Sequence, residues 1–271
     1  YMPSNLKQII AAYVPSKASN IALSLANALA KNYEARLTVI NVNPDKTEPD
    51  LVQKEIASVM GKGNSAFGFV EKLGKPYKEI LNLENALNAD LIVMGSHGSK
   101  ERDPEWIGGN AFKVLSGSTC PVLVLPEDFH GNGFSTIVLP ISESSETRQK
   151  VTFTVDIAKK FGAKIHILVV HKDEDPQVLY RLKIYGDQVQ KYCESQEVDF
   201  IREEIYNENI ANACADYAKA VNADLICIMS ERESPTGFFL GHYAQQLLNE
   251  ADTPVLTIHA KDFQLVGEAG Y

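Results

Sequence analysis

Short apolar runs alternate with longer amphipathic stretches along most of this chain. Unbroken apolar runs are typical of strands buried on both faces of a parallel sheet, and apolar residues at helical spacing predict helices. In the first half, the predicted strands are 8–13, 36–42, 66–73, 91–94 and 121–125, and the predicted helices are 16–31, 51–60, 77–87 and 110–115. This alternation predicts an α/β fold with a parallel sheet and helices on both faces.

The same order of elements recurs in the second half of the chain. Ile137 repeats Ile9 and Ala163 repeats Ala35 in one register, whereas Ile228 repeats Met94 after a few extra residues. The extra residues predict a longer helix at 175–195. A repeat of about 130 residues is too long for a solenoid unit and predicts two tandem domains. We expect these at residues 1–130 and 135–262, with 127–135 as the link.

A glycine-rich segment follows the fourth predicted strand. Gly95 and Gly98 open the chain at the end of that strand, and after nine residues Gly108 and Gly109 precede the short helix. Glycines let backbone N–H groups approach a phosphate, and a helix N-terminus adds unpaired donors and a positive dipole end. The arrangement suits anion binding, although glycines at strand ends are also common in ordinary turns.

The spacing of these glycines and their flanks resemble the universal stress protein family. Nucleotide-binding members carry G-x-x-G, nine residues, then G followed by Ser or Thr, and the flanks ADLIVMGSHG and CPVLVLP match equally well. The resemblance covers nearly the whole chain. It implies two tandem doubly wound domains, Rossmann-like and adenine-nucleotide alpha-hydrolase-like, each with five parallel strands in the order 3-2-1-4-5. The two would pack together as an intramolecular pseudo-dimer.

The resemblance also implies an ATP-type nucleotide site in the first domain, with magnesium as an accompanying ion. Its residues would be Gly95, Ser96, His97, Gly98, Gly108, Gly109, Asn110 and Val14. Two of them depart from the family pattern, because Val14 replaces an Asp that contacts the adenosine part and Gly109 replaces the hydroxyl residue. Each lost hydrogen bond to a charged ligand costs about 1.5–3 kcal/mol. We therefore expect a degenerate pocket.

The second domain departs further from the pattern. Ser142 stands where the family has its Asp, the segment 229–232 replaces the first two glycines, and Gly241 is followed by a histidine. Met229 and Arg232 would carry side chains into the space that phosphates need. We expect no nucleotide and no other cofactor in this domain.

Other candidate residues in the glycine loop have simpler explanations. His97 has no nucleophile or carboxylate placed beside it by the sequence, so loop packing is favoured over acid/base chemistry. Packing is also favoured for Trp106 over stacking on a base. Asp103 or Glu105 would be the loop carboxylates to meet magnesium, but solvated loop charges are favoured.

Composition narrows the function classes. The chain has 271 residues, 45% hydrophobic and 23% charged, as expected for two ordinary globular domains. A formal net charge of −9 argues against nucleic acid as a partner. No apolar run is long enough to span a membrane and no secretory leader is visible, so a cytoplasmic protein is expected. The four cysteines show no metal-ligand spacing and are interpreted as reduced structural thiols.

These features together predict a non-catalytic binding or regulatory module of the stress response. Its partners would be an adenine nucleotide, the paired domain of the same chain, a second copy in a homodimer, and proteins that the sequence does not identify. One alternative is an interaction scaffold without a small-molecule ligand. The other is a weak ATPase, for which the sequence supplies no general base or nucleophile.

Overall fold

Strands and helices alternate through the first half of the molecule. The structure, a computed structural model, describes residues 6–42, 49–61, 67–96, 108–141, 147–172, 175–230 and 240–259. The first-half elements are β1 Gln8–Tyr13, α1 Lys17–Tyr33, β2 Arg36–Val42, α2 Pro49–Met60, β3 Phe67–Lys72, α3 Pro76–Leu87, β4 Leu91–Gly95, α4 Gly109–Gly117 and β5 Val122–Leu125. These bounds agree with the predicted elements to within a few residues.

The second half repeats this succession. Its elements are β6 Thr136–Ile141, α5 Thr147–Phe161, β7 Lys164–His171, α6 Pro176–Ser195, β8 Phe200–Tyr206, α7 Ile210–Ala220, β9 Leu225–Ser230, α8 His242–Glu250 and β10 Val255–His259. Helix α6 has 20 residues against 12 in α2, its counterpart. The extra residues of the repeat therefore lie in this helix, as predicted.

The ten strands in the described ranges form one sheet. Its order is β3-β2-β1-β4-β5-β10-β9-β6-β7-β8, so each half has the strand order 3-2-1-4-5 that the family resemblance implies. Pairing is parallel within each half and antiparallel where β5 meets β10, with Leu123 opposite Leu256. The predicted fold class is confirmed. The joining of the two five-stranded sheets through β5 and β10 shows how the halves pair.

Helices cover both faces of this sheet. One core lies under α1, α2, α5 and α6, and the other lies under α3, α4, α7 and α8. Both cores run across the β5–β10 junction, so the halves share their apolar interior. Among the helices that the structure describes, none is long and apolar enough to cross a membrane.

A carboxylate ties the start of the first strand to the start of the fourth in each half. Asp90, before β4, accepts hydrogen bonds from the backbone N–H groups of Lys7 and Gln8 at 2.8 and 2.9 Å. Asp224, before β9, accepts the corresponding bonds from Ser135 and Thr136 at 2.7 and 3.0 Å. The Asp of the repeated ADLI segment is thus a structural residue, and the repeat preserves its contacts.

Replacing Asp90 by alanine is expected to lower the free energy of unfolding by about 2 kcal/mol, because two strand-end N–H groups lose a charged acceptor. Urea unfolding followed by circular dichroism measures the change. Asp90→Asn keeps one acceptor oxygen and should lose less stability. Equal losses for the two variants would contradict the assigned role of the carboxylate.

The segment that joins β5 to β6 packs closely on the first half. Phe129 and Phe134 are buried, at 8% and 3% exposure. Gly131 crosses the Phe129 ring so closely that an added Cβ would lie 2.5 Å from the ring. Asp128 forms a salt bridge with Lys17 at 3.0 Å. The predicted link is therefore an ordered strap across α1.

Candidate functional site

The strand order of the first half reverses at β1, which lies between β2 and β4. Beside β2 the pairing continues to Tyr13, but beside β4 the register ends at Ala11. The strands therefore diverge at their carboxyl ends and leave a crevice. In open α/β sheets, ligands bind at such a switch point.

A cavity of about 80 Å³ occupies this crevice. Its polar lining includes Ser19 of α1, Ser96 after β4 and Asn110 of α4. Its apolar walls come from the ends of the strands, from α3 and from α4, and comprise Ala12, Val14, Ile40, Val42, Pro76, Ile80, Met94 and Ala111. Ligand pockets usually enclose about 300–1,000 Å³, so the space that the described residues enclose is smaller than a typical ligand pocket.

The N-terminus of α4 lies beside the end of β4. The N–H of Gly108 donates to the carbonyl of Ser96 at 3.0 Å, and the N–H of Ser96 donates to that of Leu125 at 2.8 Å. Gly108 is the N-cap residue of α4, while Gly109 and Asn110 form its exposed first turn. Unpaired N–H groups at a helix N-terminus attract anions. The helix end that the sequence associates with phosphate is therefore next to the cavity.

The packing of α1 against β4 is sufficient to require a glycine at position 95. A Cβ at this position would lie 2.7 Å from the Cβ of Ala18 and 3.0 Å from its carbonyl carbon. The absence of a side chain allows α1 to approach the end of β4, which places the first turn of α1 against the crevice.

Val14 lies at the cavity, where the family has its carboxylate. Its backbone N–H points to the hydroxyl of Ser19 at 3.4 Å, and Ser16 caps α1 by accepting the N–H of Ser19 at 3.2 Å. The Val14 side chain adds an apolar surface to a wall that already includes Val42 and Met94. The described lining contains one ionisable group, the phenol of Tyr13, whose pKa is raised by burial and by Glu55.

The structure brings together most of the residues that the sequence associates with the site. Val14, Gly95, Ser96 and Asn110 line the cavity, with Gly108 and Gly109 at the adjoining helix end. The predicted residues His97 and Gly98, with the loop residues Asp103, Glu105 and Trp106, lie outside the described part of the chain. Sequence reasoning missed Ser19 and the apolar walls. The position of Ser19 in the first helical turn, after a switch-point strand, is the only signal for it.

The second half has a matching glycine at the N-terminus of α8, but different contacts at the end of its fourth strand, β9. Gly241 caps α8 with φ −51° and ψ 148°, close to the −56° and 141° of Gly108. Ser230, the counterpart of Ser96, is buried and bonded to Nδ1 of His259 at 2.6 Å. Met229 is partly buried and packs against the core shared with α5. Ser142 and Arg232 lie outside the described residues.

A lysine is buried where the strands of the second half diverge. The pairing of β6 with β9 ends at Val138. Two residues further along β6, the carbonyl of Pro140 accepts a hydrogen bond from the ammonium group of Lys150. Lys150 is 4% exposed and occupies the α5 position that corresponds to Ala22 of α1. Burial lowers its pKa from 10.5 to about 8, with nearby Cys214 and Cys227 acting in the opposite direction.

The four cysteines are free and buried. Burial raises the pKa of the Cys193 and Cys214 thiols to about 11 and that of Cys227 to about 12. These thiols are therefore uncharged at neutral pH and poor nucleophiles or metal ligands. Within the described parts of the chain, His, Cys, Asp and Glu side chains form no group of three that could hold a metal ion.

One curated protein and one family model resemble this chain in sequence. A universal stress protein of Methanocaldococcus jannaschii is 28% identical over 134 residues, which are 41% of this chain and 79% of the relative. The family described as "Universal stress protein family" matches residues 51–126 and 133–259.

Solved structures share the arrangement over the whole chain. A universal stress protein from Archaeoglobus fulgidus has a TM-score of 0.75 at 17% identity, covering 97% of this chain and 99% of its own. A putative universal stress protein from Pseudomonas aeruginosa has a TM-score of 0.74 at 15% identity, covering 96% and 95%. The sequence match extends over both halves, and the fold agrees with it. The chain therefore belongs to the universal stress protein family.

Proposed function

We propose that this protein is a non-catalytic binding module of the stress response, with one degenerate adenine-nucleotide site. In this proposal residues 1–130 form the domain that binds the nucleotide, and residues 135–262 form a domain that binds none. The observation that carries it is the meeting of Val14, Ser96 and Asn110 at one cavity beside the N-terminus of α4.

The chemistry of the crevice supports a nucleotide bound weakly. The apolar walls suit the flat base, and the first turn of α4 offers backbone donors to a phosphate. Two features reduce the affinity: Val14 offers no acceptor, and Gly109 has no hydroxyl. In the second half, the counterpart of Ser96 is Ser230, which is bonded to His259, and Lys150 is buried at the carbonyl of Pro140.

A non-catalytic role is supported by the groups around the cavity. Among the described lining residues, the polar groups are serine hydroxyls, an amide and a buried phenol of raised pKa, and none of these is a general base suited to neutral pH. Magnesium-dependent phosphate release that disappears in Gly98→Val would contradict this part of the proposal and favour a weak ATPase.

Isothermal titration of the nucleotide-stripped protein with ATP and magnesium tests the site. We expect binding with a dissociation constant below about 1 mM, lost in Gly98→Val. Arg232→Val, at the matching position of the second half, is the control and should bind as the unaltered protein does. The absence of binding up to millimolar ATP would contradict the proposal and favour a ligand-free interaction scaffold.

A further inference from the structure

A second and larger concavity lies between the strap, α1 and α2. It encloses about 630 Å³, within the range of ligand pockets. We call it the linker groove; its lining includes Lys17, Asn20, Ile21, Glu55, Phe129 and His130. It is separate from the residues that we assign to nucleotide binding, because the two cavities have no lining residue in common.

Two contacts fix the strap, which forms one side of the groove, to α1. The strap is fixed to α1 by the Lys17–Asp128 salt bridge at 3.0 Å and by the Ser24 hydroxyl, which donates to Oδ1 of Asn132 at 3.3 Å. Gly131 lies directly over the Phe129 ring, so the strap keeps one course across the helix. The groove is thus built from ordered elements.

Glu55 is the carboxylate among the residues that line the groove. Lys17, which also lines it, forms a salt bridge with Asp128 of the strap. Glu55 is half-buried and interacts with the phenol of Tyr13, which also lies 2.8 Å from Oδ1 of Asn20. Among the described residues, Glu55 forms no salt bridge with a lysine, arginine or histidine. The carboxylate therefore keeps acceptor capacity directed at the groove.

Apolar side chains also line the groove. Ile21 of α1 and Phe129 of the strap are the large apolar residues of this lining. A carboxylate next to apolar surface matches a ligand with a cationic nitrogen and a hydrocarbon body, since the ion pair is strengthened where water is displaced. We propose that the linker groove binds a small organic cation of this kind, an ammonium group against Glu55 and an apolar body against Ile21 and Phe129.

Titration with benzylammonium chloride at pH 7 tests the proposal on the full chain, followed by calorimetry and by chemical-shift changes. We expect saturable binding in the millimolar range or tighter, and none of benzoate at the same concentrations. Glu55→Gln keeps the shape of the side chain and should weaken binding at least fivefold. Glu250→Gln, an exposed carboxylate on the opposite face, should leave it unchanged.

A second variant tests the location. Ile21→Trp fills the groove from α1 and should abolish benzylammonium binding, while circular dichroism and the melting temperature report that the fold persists. ATP binding provides a further control, since Gly98→Val should leave benzylammonium binding intact. Equal binding of benzoate and benzylammonium, or unchanged binding in Glu55→Gln, would overturn the proposal.

Discussion

Val14→Asp combined with Gly109→Ser is expected to tighten ATP binding by about two to four orders of magnitude. Each substitution restores one polar group that the family pattern contains and this chain lacks. A hydrogen bond that involves a charged group contributes about 1.5–3 kcal/mol, and the two positions lie on different elements, so their effects should largely add.

The structure accommodates both side chains. Val14 is half-buried at the cavity, and an aspartate there is close in size to valine. Gly109 is exposed at the first position of α4, where a serine causes no burial and suits the start of a helix. The gain should therefore not be offset by a large loss of stability.

Calorimetry of the two single variants and the double variant with ATP and magnesium measures the effect. A matched control places the same residues in the second half, as Ser142→Asp with His242→Ser, which should gain no binding because the intervening segment lacks the glycines. A double variant in the first half that binds no tighter than the unaltered protein would show that the crevice does not hold ATP in the proposed way.

Lys150→Met is expected to raise the free energy of unfolding at pH 7 by about 1–2 kcal/mol. A pKa lowered from 10.5 to about 8 corresponds to a cost of about 3 kcal/mol for holding the charged amine in the folded protein. Methionine removes this cost but also removes the hydrogen bond to the Pro140 carbonyl, worth about 1–2 kcal/mol. The cost of holding the charged amine exceeds the contribution of the hydrogen bond, so the variant gains stability.

The pH dependence gives the sharper test. Between pH 8 and 10.5 the unfolded chain binds a proton at Lys150 that the folded chain has lost, so the stability of the unaltered protein rises with pH. Relative to Lys150→Met, that rise should total about 3 kcal/mol, and above pH 10.5 the lysine form should be the more stable. Other titrating groups are common to both proteins and cancel in the difference.

Urea unfolding at several pH values from 7 to 11 measures this difference. Lys191→Met, which removes an exposed lysine of α6, serves as the control for the loss of one lysine charge. A constant difference between the protein and Lys150→Met across this range would contradict the lowered pKa.

The fold was predictable because most of its strands, apart from the edge strands β3 and β8, are buried on both faces. Runs such as 91–94 and 121–125 have no polar face, whereas the predicted helices each have a polar face. The hydrophobic periodicity therefore distinguishes strands from helices. The junction of β5 with β10 was not predictable in the same way. Val122–Leu125 and Val255–His259 are as apolar as the strands inside each half, and nothing in their composition marks them as neighbours.

The site was predictable only in part. Glycines and small polar residues are conspicuous after a strand, so Ser96, Gly108 and Asn110 stood out. The walls formed by Ile40 and Ile80 did not, because a residue that lines a cavity and one that fills a core have the same apolar character. Glu55 was missed because a carboxylate on a helix is ordinarily solvated, and its place in the linker groove depends on the strap.

The antiparallel pairing of β5 with β10 means that the second half covers an edge strand of the first half, which requires no ligand. Without β10, the N–H and C=O groups of Val122 and Val124 would form an open edge, a template for uncontrolled association with other chains. Because this edge is closed by a strand of the same chain, closure does not depend on protein concentration. The second half can therefore lack the glycine loop and still cover this edge of the first half.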